Sequence, residues 1–189
     1  MSPSHLAPAD GTHWPAAIST IRSSVSSTLV GLTEAAELPA ELLDRRPREG
    51  GWSAAEVLEH VCLTDHYLLL LLDKIADRSR RRLERGLPWP AHEPRFSHLL
   101  EAARPTFRWE APDHMVPGGA WTPEESARRL LEDRARCLFL LDEFPEGEGT
   151  LHGITMSVVG GRLDLYQYLL LLALHAHRHL EQLRRVTAV

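Results

Sequence analysis

With 189 residues, 43% of them hydrophobic, and a net charge of −5, the chain suits one domain with a substantial core and is short for two. No large basic excess argues for a nucleic-acid partner. The longest apolar runs, residues 68–72 and 169–174, are far too short to span a bilayer. Cys62 and Cys137 fall in helical patterns and read as small core residues. The Met1 end shows no basic-then-apolar leader, so the expected compartment is cytoplasmic.

Residues 1–13 read as a flexible N-terminal tail, and residues 14–189 as a single domain. A first helix is predicted over about 15–36, where Ile18, Ile21, Val25, Leu29 and Leu32 recur at helical spacing behind an early Pro15. Residues 39–51, rich in proline, glycine and charge, form a connection. The second helix opens with Ser53 as N-cap and Glu56 three residues on, a capping box, with Trp52 and Val57 at the two positions of a hydrophobic staple. Its apolar stripe continues through Val61, Thr64, Leu68, Leu71 and Ile75 to about Glu84. The basic run at 78–85 is expected to solvate that helix end, where cations complement the helix dipole; an anion-binding role is the less favoured reading.

Residues 85–122 hold six prolines and three tryptophans and form the least regular stretch, with a short helix expected at 96–103. A third helix starts at Thr122 as N-cap, with Pro123 at N1 and Glu125 at N3. Leu130, Leu131, Cys137, Leu138 and Leu141 carry it to about Phe144. The five glycines of 146–162 mark a turn-rich connection in which short β pieces could form. The fourth helix begins near Leu163 or Asp164, with an inward stripe of Leu165, Tyr168, Leu172, His175, His179, Gln182 and Val186. Together these elements predict an all-α four-helix bundle.

The chemistry concentrates in His60, His175 and His179. His175 and His179 are spaced i, i+4, so their imidazoles project one turn apart from one side of a helix. His60 lies on the interior stripe of the second helix with Val57 and Thr64. Two buried imidazoles a turn apart cost free energy unless both find partners. A divalent cation bonded to their nitrogens, with His60 as third ligand, satisfies them and leaves coordination positions open. His177 is assigned to the opposite side of its helix and His66 to a weaker position, while His152 or the middle connection could add a ligand. Glu56 is assigned to the capping box in preference to hydrogen bonding with His60, and Asp65 and Glu181 are expected to face elsewhere.

The stretch Gly-Trp-Ser-Ala-Ala-Glu-Val-Leu-Glu-His at 51–60 resembles the W-S-x-x-E-V-L-x-H opening of helix two in the DinB-like superfamily. The stretch from His175 through His179 to Leu183 resembles that family's H-x-x-x-H-x-x-Q-L/I ending. The resemblance implies an up-down-down-up bundle with a long crossover between helices two and three. It also implies a divalent metal of zinc, nickel or iron type held by His60, His175 and His179. Members are described as metal-dependent hydrolases, as low-molecular-weight thiol transferases and as mycothiol-dependent isomerases, and many are homodimers. The expected function is therefore a metal-dependent enzyme that activates a small thiol or water against a small-molecule substrate. The alternative is a non-catalytic metal-binding or small-molecule-sensing bundle.

Overall fold

The computed structural model describes residues 3–47, 50–88, 94–102, 110–159 and 161–188. Four long helices make the bundle: α1 (Trp14–Ala36), α3 (Ala54–Glu84), α5 (Pro123–Glu143) and α6 (Leu165–Thr187). Short helices α2 (Ala40–Leu43) and α4 (Ser97–Ala102) lie in the connections, and β1 (Gly153–Met156) pairs antiparallel with β2 (Gly161–Asp164). Among the described residues, no helix is long and apolar enough to cross a membrane.

Cross-helix contacts give the directions. Arg134 on α5 meets Thr28 on α1 and Asp65 on α3, while Asp142 meets Arg22 and Glu143 meets Arg80. Hence α5 runs parallel to α3 and antiparallel to α1. Trp14 lies against Tyr166, and Gly31 faces Leu180, so α1 and α6 run parallel. The order is up-down-down-up, and the connection from α3 to α5 must travel the length of the bundle.

The helix starts follow their capping chemistry. Ser53 and Glu56, and Thr122 and Glu125, form reciprocal capping boxes at α3 and α5. A third box, Asp164 with Gln167, starts α6. Between α5 and α6 the Tyr166 hydroxyl donates to the Phe144 carbonyl at 2.7 Å and accepts from the amides of Gly147 and Gly149. Gly147 has φ of +108°, and a Cβ there would stand 2.6 Å from the Trp14 ring, so only glycine fits this turn.

Two expectations fail. Residues 3–13 are not a loose tail against the bundle: Leu6 is buried, its carbonyl accepts from Ser24 Oγ at 2.6 Å, and Asp10 accepts from the amides of Phe96 and Ser97. Leu131 is exposed and Arg134 is fully buried in its place, because the inward face of α5 runs through Leu130, Arg134, Cys137 and Leu141. A charge on that face is retained by Asp65, 2.8 Å away. Trp89, His92 and Trp109 of the middle connection lie outside the described residues.

Candidate metal centre

Val57, Val61, Leu130, Ala176, Leu180 and Leu183 form the apolar layer at the α3 N-terminal end of the bundle. His60, His175 and His179 sit in that layer, exposed by 5%, 9% and 7%. Each offers a ring nitrogen, and these atoms lie within 4.8 Å of one another. The Nε2 atoms of His175 and His179 are 3.1 Å apart. Two ligands at about 2.0–2.1 Å from one ion, at tetrahedral to octahedral angles, are roughly 2.9–3.4 Å apart, so the pair has the separation of a shared ion.

The other ring nitrogens fix which atoms face the centre. His60 Nδ1 donates to the Met115 carbonyl at 2.8 Å, and His179 Nδ1 donates to Gln182 Oε1 at 2.9 Å. A carbonyl oxygen only accepts, so both rings carry their proton on Nδ1 and turn an Nε2 lone pair inward. Burial, reinforced by the neighbouring imidazoles, pushes His175 well below the usual histidine range and His179 down to about 3. Burial also lowers His60, against the opposing pull of its bond to Met115. Neutral imidazole is the form that ligates, so the donor set fits a divalent cation.

The crossover covers this end of the molecule. Glu59, almost fully buried, accepts from the amides of Gly119 at 2.8 Å and Ala120 at 2.7 Å. Gly119 has φ of +74°, which suits glycine and aims both amides at one carboxylate. Thr64 Oγ1 lies 3.9 Å from Met115 Sδ, and Tyr67 packs edge-on against His114. Trp52 lies over the His60 ring, with centroids 4.6 Å apart.

The three expected histidines meet, and the rest divide. His177 lies off the triad against His5, His66 is exposed beside Tyr67, and His13 caps α1. His152 is no further ligand, since it lines a cleft with Arg78 and Arg82 at the other end of α3. Glu56 serves the capping box and Arg46. Gln182 stood on the predicted stripe three residues from His179 without an assigned role. The Met115 carbonyl, a backbone atom, carries no mark in sequence, and nothing in the sequence assigns Glu59 a role.

A helical bundle with three convergent histidines on facing helices has the layout of a bundle-core metal protein. A family model for the DinB superfamily matches residues 28–183, and the chain belongs to that superfamily. Its fold is similar to YfiT from Bacillus subtilis, described as a probable metal-dependent hydrolase with an unusual four-helix bundle topology. The TM-score is 0.54 at 20% identity, over 90% of this chain and 87% of that one. No curated protein matches the chain.

Proposed function

We propose that this protein is a divalent-metal-dependent enzyme acting on a small molecule, with His60, His175 and His179 as the metal ligands. The observation that carries the reading is the convergence of three buried, neutral imidazoles, two of them held in one tautomer by Met115 and Gln182. A cation of zinc, nickel or iron type in such a set acts as a Lewis acid that makes water or a thiol nucleophilic near neutral pH. The protein's own part is to orient the rings, through the Met115 carbonyl and Gln182, and to shield them with Trp52 and the crossover. The small thiol is favoured over water as the activated group by the resemblance to thiol-using DinB-like enzymes; a transferase or isomerase of mycothiol type is the reading for that case, and a hydrolase for the other.

A sensing or purely metal-binding role is the second reading. Glu59, the carboxylate adjacent to His60, is taken up by the Gly119 and Ala120 amides and is not at hand as a general base. Untagged protein should be stripped with a chelator, supplied with zinc or nickel, and analysed for bound metal. Transfer of a small thiol to electrophilic acceptors, and hydrolysis of small esters and amides, are then compared with and without chelator. Stoichiometric metal with chelator-sensitive turnover is expected. Metal content near zero after loading refutes the site, and full loading without turnover favours the sensing role.

A further inference from the structure

The last two turns of α3 and its C-cap carry Arg78, Arg81, Arg82 and Arg85, spaced i, i+3, i+4 and i+7, so the four guanidinium stems leave one side of the helix end. With His152 they line a cleft of about 340 Å³ between the end of α3 and the segment leading into β1. Arg82 donates to the Leu151 carbonyl at 2.6 Å, which ties the helix to that segment. Arg162 on β2 stands 3.4 Å from His152 Nδ1 and adds a fifth guanidinium beside it. Arg80, on another face, is engaged by Glu143 and Asp77. Among the described residues, none of the four cleft arginines is paired with a carboxylate.

Helix-end electrostatics accounts for part of this arrangement only. The dipole favours cations in the last turn, which holds Arg81 and Arg82, and Arg78 lies before it. Like charges at i, i+4, here Arg78 with Arg82 and Arg81 with Arg85, work against the helix. A solvated helix end requires neither a concave wall nor four arginines gathered on it.

We infer that this cleft binds a small polyanion bearing two neighbouring phosphate groups. Guanidinium forks grip phosphate oxygens two at a time. The arginine face extends about 10 Å along the helix axis, enough for more than one phosphate. The volume lies at the lower end of small-molecule sites, roughly 300–1,000 Å³. The cleft is about 33 Å along α3 from His60, so the inference stands apart from the metal-site reading.

Inorganic pyrophosphate is the probe, titrated calorimetrically at fixed ionic strength into the wild-type chain, into Arg81→Gln/Arg85→Gln and into the α5 surface variant Arg128→Gln. Saturable binding should weaken at least tenfold in the double variant and hold in Arg128→Gln, with thermal melts confirming that each variant is folded. Arg81→Lys/Arg85→Lys, which keeps charge but not the fork, should fall between. Absence of pyrophosphate binding, or equal binding by the double variant, overturns the site. Binding to phosphatidylglycerol vesicles or to a single-stranded oligonucleotide that pyrophosphate does not displace overturns the small-molecule assignment.

Discussion

At the scale of single residues, the proposed centre depends on atoms outside its three donor nitrogens. Gln182 holds His179 in the tautomer that presents Nε2. Gln182→Ala should lower zinc affinity about 10–100-fold, the usual cost of losing such a partner, while leaving the thermal midpoint of the metal-free protein nearly unchanged. Competition with a chromophoric chelator measures it. The Asp65–Arg134 pair sets a different case, since both side chains are fully buried. Burial raises the Asp65 carboxyl against the pull of Arg134. Asp65 Oδ1 and one Arg134 terminal nitrogen have no hydrogen-bond partner. Such a pair is costly to break and cheap to replace. Arg134→Met alone should destabilise by about 3–5 kcal/mol in urea unfolding, because it strands a buried carboxylate. Asp65→Leu/Arg134→Met should recover most of that loss. If the double variant is no better than the single one, the pair supplies net stability.

At the scale of elements, the capping residues made most helix starts readable in advance. Ser53 with Glu56, and Thr122 with Pro123 and Glu125, stood where α3 and α5 begin. Asp164 was read as a boundary only, although with Gln167 it forms the same reciprocal box. Residues 3–13 carry no helical periodicity to announce their packing, because Leu6, the Leu6 carbonyl, Asp10 and the Gly11 amide secure them through contacts distant in sequence. Asp164 also carries a pH dependence. Burial outweighs the amide bonds of Gln167 and Tyr166 and raises its carboxyl to about 6. Between the unfolded value near 3.8 and about 6, the folded chain holds a proton that the unfolded chain has released. This group therefore favours the folded state most below that window, and the contribution is lost as pH rises through about 6. Asp164→Asn keeps an N-cap acceptor and removes the titration, so its stability curve between pH 4 and 7 should rise relative to wild type as pH increases. Asp164→Ala removes the acceptor and should cost about 1 kcal/mol. Urea midpoints across that range test both; parallel curves for Asp164→Asn and wild type would exclude a raised carboxyl.

At the scale of the whole molecule, the up-down-down-up order decides what builds the centre. Because α3 and α5 run parallel, their connection must return along the bundle, and its last part, residues 113–121, comes to rest over the α3 N-terminal end. The histidine triad was legible because helical periodicity places a side chain on a face. The cover was not, since Met115 acts through its backbone and Glu59 through two amides of an irregular segment. Adjacent residues of α3 hold this cover: Glu59 grips Gly119 and Ala120, and His60 grips Met115. If the cover is a fitted part of the centre, releasing one grip should loosen the other. Glu59→Gln keeps the size and one acceptor oxygen but gives up the charge-assisted bonds, which are worth about 1.5–3 kcal/mol together with the desolvation they offset. Hydrogen exchange should show faster exchange at the Gly119 and Ala120 amides, and zinc should dissociate faster from the variant than from the wild-type chain. Faster exchange with unchanged zinc release would mean that Met115 holds its carbonyl on His60 without help, and that the crossover caps the bundle independently of the triad.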